Sequence, residues 1–410
     1  MDSPTSIDRA ALQRRTLRVL VAAQLCSGAG LAAGIVAGAL LAEEMLGSTS
    51  GAGLPSALFT LGAAGSAFLI GQASQRGGRR VGLSGGYLGG AIGGAGIVAA
   101  AALDSVPLLL VSLLVYGAGT ASSFQARYAG ADLASADARA RSVAVVLVAT
   151  TAGAVAGPLV AELTGDFAES VGVIALAGPF MLATVAYLLA AITLWTFLRP
   201  DPLLTARAME TGGSSAADDD GEVDWGVVRI AVAVMFITQL VMVAIMTMTP
   251  IHMRDHDHSL TATGAVIAMH VAAMFLPSPI TGVLVDRIGR RPMIAASGVT
   301  LLAAGTLAAA APADSMWLLS LALILLGLGW NFGLVAGTAL LTDATPLGRR
   351  AAVQGRADLL VQLSGAAGGL GSGFVMAGSS YATLSLVGAT FAALLLPLMF
   401  ATPRAQPATA

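Results

Sequence analysis

The chain is a succession of apolar runs, each of roughly 20 residues, separated by short polar breaks. That length suits a helix crossing a hydrocarbon layer of about 30 Å. At that depth no water is available, so each segment must satisfy its own backbone N–H and C=O groups, which a helix does. The alternation of a barrel strand is absent. Twelve spans are predicted: 19–42, 52–73, 81–103, 106–127, 143–163 and 171–198 in a first half, then 225–249, 262–285, 292–312, 316–341, 357–377 and 383–402 in a second. Residues 1–18 form a leading segment, 199–224 a linker and 403–410 a tail.

Composition agrees with this pattern. Charged residues make up 11% and hydrophobic residues 56% of 410 positions. A soluble domain carries about a quarter of its residues charged. The fold class is therefore an all-α polytopic membrane protein. The chain has no lysine, and its 21 basic residues are all arginine. If the amino terminus is cytoplasmic, every arginine except Arg254 falls at or near a cytoplasmic end of a span. This bias satisfies the positive-inside rule and predicts that both termini are cytoplasmic. The basic start with Arg9, Arg14, Arg15 and Arg18 precedes too long an apolar run for a cleaved signal. The one cysteine, Cys26, excludes an internal disulfide and is read as a packing residue.

The two halves repeat one another. Residues 282–291 read Gly-Val-Leu-Val-Asp-Arg-Ile-Gly-Arg-Arg, and residues 71–80 read Gly-Gln-Ala-Ser-Gln-Arg-Gly-Gly-Arg-Arg. Further landmarks recur at nearly the same offset: Asp104-Ser105 with Asp314-Ser315, Gly117 and Gly119 with Gly327 and Gly329, and Arg139 with Arg349. A duplicated six-plus-six arrangement about an axis along the membrane normal is expected. Linker residues Gly212-Gly213-Ser214-Ser215 and Asp218-Asp219-Asp220 read as a tether unable to fold alone.

The pattern G-x-x-x-D-R-x-G-R-R resembles the cytoplasmic loop signature of the major facilitator superfamily. That resemblance implies a twelve-helix transporter of two pseudo-symmetric six-helix bundles. It also implies that the loop acid caps a helix of the opposite half, so Asp286 should face the start of span 5 near Arg141 and Ser142. In the first copy Gln75 replaces the acid, and Asp358 at the start of span 11 is expected to engage Arg76 or Arg79. The gating candidates are Gly71, Arg76, Arg79, Arg80, Gly282, Asp286, Arg287, Gly289, Arg290, Arg291 and Asp358. Taken singly, most of these arginines serve equally well as solvated topology determinants. Span 5 adds Gly153, Gly157 and Pro158, similar to a signature of drug-exporting antiporters in that family, with Ala161 and Ala144 in place of two of its glycines. Physically, this is a small-residue face with a proline that frees a carbonyl.

If the family plan holds, spans 1, 4, 7 and 10 line a midplane cavity. Its substrate candidates are Gln24, Tyr116, Gln239, Trp330, Asn331 and Phe332, with core packing an alternative for Phe332. Met235, Met242, Met246 and Met248 favour an amphipathic ligand over a sugar. For proton coupling the candidates are His270 and Glu162, since no acid lies in the central third of a span. An interhelical hydrogen bond is the plainer role for a lone buried histidine. The outer loop with His252, His256 and His258 fits no standard metal spacing, so neither metal nor cofactor is assigned.

The expectation is a secondary transporter in a bacterial plasma membrane, monomeric, not an enzyme, with a small solute, protons and lipid as partners and no nucleic acid. Proton-driven efflux of amphipathic compounds is the leading task. An importer of a vitamin or organic anion is the alternative, and a membrane receptor a remote one. No G-x-x-x-x-G-K-[ST] loop is present, so the chain encodes no ATP-driven pump of that kind.

Overall fold

The computed structural model describes residues 8–46, 53–159, 161–210, 221–312 and 314–402. Its helices in the first half are α1 (Arg9–Leu46), α2 (Gly53–Gly77), α3 (Arg79–Ala102), α4 (Val106–Ala131), α5 (Arg139–Leu159), α6 (Ala161–Ser170) and α7 (Gly178–Phe197). A short α8 (Pro202–Glu210) follows, and then α9 (Trp225–Asp255), α10 (Leu260–Phe275), α11 (Ser278–Ile288) and α12 (Arg290–Ala310). The last four are α13 (Met316–Asp343), α14 (Arg350–Gly378), α15 (Tyr381–Ala393) and α16 (Leu395–Ala401). Each predicted span is met by one helix or a consecutive pair, α5 with α6, α10 with α11, and α15 with α16. Ten stretches among the described residues are long and apolar enough to cross a membrane. The other two spans are α1 and α5 with α6, the latter pair divided at residue 160, which lies outside the described residues. Large apolar side chains such as Trp317, Phe374 and Ile280 stand on the outer surface, where lipid covers them.

Local chemistry explains the starts and breaks. Asp224, Ser259, Ser315 and Ser380 each accept a hydrogen bond from a backbone N–H of the first turn of α9, α10, α13 and α15. Span 8 is divided into α10 and α11 by Pro277 and Pro279, which have no N–H to continue the ladder. At the loops between α2 and α3 and between α11 and α12, Gly78 and Gly289 take φ of 86° and 97°. A side chain there would be strained, which accounts for the last glycine of both arginine motifs.

One apolar core fills the first bundle, with Tyr87, Tyr116, Phe180 and Tyr187 among its largest members. The core of the second bundle continues across the seam to Tyr128, Ala140, Val143 and Leu147 of the first. The motif glycines create the closest crossings of that seam. A Cβ on Gly71 would lie 2.6 Å from the Cα of Gly355, and one on Gly282 would lie 2.8 Å from the Cα of Arg141.

The linker differs from the expected tether. Its first part forms α8, which buries Leu203 and Ala206 against Leu12, Leu133, Leu347 and Ala351 at the arginine-rich end. Averaging the composition over the linker hides this short amphipathic stretch, because the Gly, Ser and Asp runs outweigh it. Those runs, at 212–215 and 218–220, lie outside the described residues, as does the tail 403–410.

The helix crossing predicts a conformational effect. Gly355→Val overpacks the α2–α14 contact, a change that costs about 1–3 kcal/mol in a packed interior. The variant should insert normally yet favour separation of the bundles at the arginine-rich end. On a Cys26→Ser background, a cysteine at Val361 should then be alkylated from that end about tenfold faster than with Gly355 present. An unchanged rate contradicts the assignment.

Candidate functional site

The two arginine motifs place equivalent groups on opposite sides of the seam. Both carboxylate oxygens of Asp286 accept from the backbone N–H groups of Ala140 and Arg141, at 3.0 and 2.9 Å. The acid thus sits on the positive end of α5, the position expected for it. Gln75 does the corresponding work at the start of α14. Its amide oxygen accepts from Ala352 N at 3.2 Å, and its amide nitrogen donates to the Gly348 carbonyl.

The motif arginines select acids at the ends of α4 and α13. Arg79 forms a two-pronged pair with Asp132, at 2.7 and 3.2 Å, and donates to Gln354 Oε1 across the seam at 2.5 Å. Both Arg79 and Asp132 are fully buried. The equivalent Arg290 donates to Asp343 at 3.0 Å, and Arg139 reaches the same carboxylate from the first half at 2.6 Å. This second cluster is partly exposed.

One helical turn beyond Gln354 lies Asp358. It was expected to meet Arg76 or Arg79, and the structure corrects this. Its Oδ1 accepts from Arg127 Nη2 at 2.6 Å and from Tyr128 Oη at 2.9 Å. Arg79 is already committed to Asp132, and Arg76 is exposed. Arg127 is also held by Thr338 Oγ1 at 3.1 Å and by the Phe124 carbonyl at 2.5 Å. Its guanidinium carbon lies 4.3 Å from the centre of the Tyr128 ring. The pair joins α4 to α14 with side-chain exposures of 1% and 5%, so its charges are matched by each other and not by water.

Directly beyond the pair is a narrow cleft between the bundles, lined by Phe124, Arg127, Gln239, Trp330, Leu334, Asp358, Val361 and Gln362. A second hollow shares Phe124 with it and is otherwise bounded by Ser123, Leu147, Thr150 and Phe275. Trp330, which lines the cleft, is edge-to-face with Phe124 and with Phe275 of the second hollow at centroid separations of 6.4 and 5.5 Å. Its indole N–H donates to Gln239 Oε1 at 2.7 Å.

Of the expected substrate residues, Gln239 and Trp330 therefore line the cleft, whereas others are taken up elsewhere. Asn331 donates to the Met274 carbonyl and to Ser278 Oγ, both at 2.7 Å, and accepts from Thr281 at 2.6 Å. It staples the proline break between α10 and α11. Tyr116 donates to the Gly30 carbonyl and packs among Phe59, Phe180 and Tyr187 inside the first bundle. Gln24 donates to Ser123 O and Thr150 Oγ1 at 3.0 and 2.8 Å and accepts from Tyr87, so it holds two residues that bound the second hollow and does not reach the cleft. Phe332 packs on the second bundle's core, the alternative noted for it.

The remaining gating candidates divide in the same way. Arg80 stacks on Trp195 at 4.8 Å, Arg291 donates to the carbonyls of Met399 and Phe400, and Arg287 is exposed. Gly153 is buried in α5, and the surroundings of Gly157 and Pro158 lie outside the described residues. Neither proton candidate reaches the cleft. His270 is buried with Nδ1 on the Leu323 carbonyl at 2.8 Å, and Glu162 is exposed in the first turn of α6.

Sequence reasoning missed Arg127, Phe124, Tyr128 and Gln354. Two signals pointed to them. Arg127 and Thr338 stand 211 positions apart, the offset of the motifs, and touch across the seam. Arg127 is also the one charged residue of α4, and Asp358 the one acid of α14.

Comparison with known proteins follows the same outline. The family model described as Major Facilitator Superfamily matches residues 20–256 and 230–410. A protein of Bacillus subtilis (strain 168) described as the uncharacterized MFS-type transporter YdeG is 55% identical over 395 residues, covering 95% of this chain and 92% of the relative. The riboflavin transporter RfnT of Brucella anthropi is 30% identical over 402 residues, covering 94% of this chain and 95% of its own. Among solved structures, the human organic anion transporter MFSD10 (TETRAN) aligns with a TM-score of 0.78 at 17% identity, over 94% of this chain and 99% of that one. At that identity the likeness is one of fold.

The Arg127–Asp358 contact predicts unequal single and double effects. Removing one partner of a buried pair costs about 3–5 kcal/mol, while replacing both by apolar groups is often close to neutral. Arg127→Met and Asp358→Leu should each lower the unfolding temperature of the purified protein by several degrees. The double variant should recover most of that loss. Additive losses would show that the two charges do not depend on each other.

Proposed function

The chain belongs to the major facilitator superfamily, and from that membership we propose that it moves a small amphipathic solute across the membrane by alternating access, coupled to protons and in the outward direction. The observation that carries the alternating-access reading is the position of the Arg127–Asp358 pair. It closes the arginine-rich side of a cleft that lies between the bundles, so a solute in the cleft reaches that side only when the bundles separate there. In this reading Asp286 and Gln75, each capping a helix of the other half, hold the closed state together. The arginine-rich end is the cytoplasmic one, and the protein resides in the bacterial plasma membrane.

The aromatic and amide lining supports an amphipathic cargo over a sugar. The partial span-5 signature supports export. A second reading, import of a vitamin, draws on the relative from Brucella anthropi, described as a riboflavin transporter.

Reconstitution into proteoliposomes separates these readings. Under the export reading, an imposed proton gradient drives amphipathic cations or neutral drugs against the direction of proton flow. If riboflavin instead exchanges in counterflow and no drug moves, the vitamin reading replaces it.

The closed-state assignment gives a further expectation. Asp286→Asn weakens a helix cap of about 1 kcal/mol, so counterflow should fall several-fold while insertion and yield stay normal. Wild-type rates in that variant would remove Asp286 from the gate.

A further inference from the structure

We propose that the edge between α3 and α7 at the arginine-rich end binds the headgroup of an anionic phospholipid, with the Arg80 guanidinium on its phosphodiester and the Trp195 indole beside it. The proposal depends on the chain spanning a bilayer and is independent of what the cleft carries. Arg80 stands in the first turn of α3 and Trp195 in the last turn of α7. The guanidinium carbon lies 4.8 Å from the centre of the indole ring. Trp195 is 48% exposed, so the pair sits on the outer surface of the first bundle.

Arg80 differs from the other arginines withdrawn from water. Among the described residues, Arg79, Arg127, Arg139 and Arg290 reach carboxylates, and Arg207, Arg291 and Arg350 reach backbone carbonyls. The side chain of the half-buried Arg80 donates to no described oxygen, and the indole ring is its partner. Arg291 holds the same place in the second motif copy. There Nε and Nη2 donate to the Met399 and Phe400 carbonyls at the end of α16, at 2.9 and 2.6 Å. In the first half that use is lost, and a fork of donors suited to a phosphodiester is left over.

Charge and depth both fit one lipid phosphate. The acid in contact with Arg80 is Asp201, whose oxygens accept from the backbone N–H groups of Arg80, Leu203 and Leu204. The exposed Arg199, two residues before it, adds a second cation, so two arginines against one aspartate leave the patch singly positive. Tryptophan at a helix end favours the headgroup level of a bilayer. From there toward the midplane both helices turn exposed apolar side chains outward, Leu88 and Ile92 on α3 and Leu188 and Ile192 on α7. The two helices pack directly, Gly90 against Tyr187, so these side chains form one track for acyl chains. Basic pockets between membrane helices hold anionic headgroups in this manner.

The test titrates purified full-length protein in detergent with phosphatidylglycerol, with phosphatidylethanolamine, and with glycerophosphoglycerol, the same headgroup without its chains. Native mass spectrometry reads the bound molecules. Phosphatidylglycerol should bind about fivefold more tightly than phosphatidylethanolamine, the factor that one arginine near a lipid surface contributes. Arg80→Gln should remove this preference. Arg15→Gln deletes an exposed charge at the same end and should keep it. In phosphatidylcholine nanodiscs, phosphatidylglycerol brominated near its headgroup should quench the wild-type fluorescence more than that of Trp195→Phe, which places the lipid at this indole.

Equal binding of the two lipids, an unchanged preference in Arg80→Gln, an equal loss in Arg15→Gln, or equal quenching of wild type and Trp195→Phe would each overturn the proposal. Glycerophosphoglycerol displacing the intact lipid at equal concentration would reduce the site to one for free phosphodiesters and overturn it too. The lipid comparison uses the unaltered protein, so it stands even if Arg80→Gln does not fold. Neither readout involves a cargo, so absence of solute counterflow bears on the transport reading alone.

Discussion

The contact on which the closed arrangement depends is the ion pair between Arg127 and Asp358. The two charges belong to different bundles, lie 2.6 Å apart and are almost wholly removed from solvent. Charges in that setting are stable only while matched by each other or reached by water. Parting the bundles at the arginine-rich end therefore means hydrating both at once. Everything nearer that end is arranged around this condition. Gln354 lies one turn, about 6 Å, closer to the arginine-rich face and receives Arg79. Ala352 comes next and is capped by Gln75. The glycine crossing of Gly71 and Gly355 brings α2 and α14 close enough for these contacts to form. The layers are coupled, since opening the crossing breaks the Arg79–Gln354, Gln75–Ala352 and Arg127–Asp358 contacts together, while Arg79 keeps Asp132 within its own half.

The fold was legible in the sequence because its determinants are local. Span length, the arginine bias and the repeated motif are each read within a few tens of residues, and all twelve spans have their helices. The motif also disclosed the helix cap by Asp286. The choice of partners was not legible. Arg79 and Asp132 are separated by 53 positions and Arg127 and Asp358 by 231, and nothing local favours these pairings over Asp358 with Arg79. The substrate residues fail for a related reason. A polar group at lipid depth must find a partner, but the sequence does not say whether that partner is cargo or another helix. Asn331 illustrates the difficulty. It is polar, central in α13 and next to Trp330, yet one helix face away it is consumed by a proline break. Gln239, equally central, stands on the face toward the seam.

The duplication has drifted, and the drift makes the seam uneven. On one side an acid caps α5, and the neighbouring cluster of Arg290, Asp343 and Arg139 is already partly in contact with water. On the other, the cap is the neutral Gln75, and the Arg79–Asp132 pair is entirely dry. An amide can donate and accept at once, so Gln75 binds two backbone groups of the opposite half, where a carboxylate could only accept. Substituting Gln for Asp thus exchanges a charge for a second hydrogen bond in a place where charge would be costly to bury. The energetic consequence follows from solvation. Separating groups that are already hydrated costs little, because water replaces each lost contact as it breaks. Separating dry, neutral-capped contacts leaves buried donors and acceptors unmatched until the gap admits water. The α5–α11 side of the seam is therefore the softer one and the α2–α14 side the stiffer. The Arg127–Asp358 pair lies on α14, with the stiff side, so the last contact to yield is the one that borders the cleft.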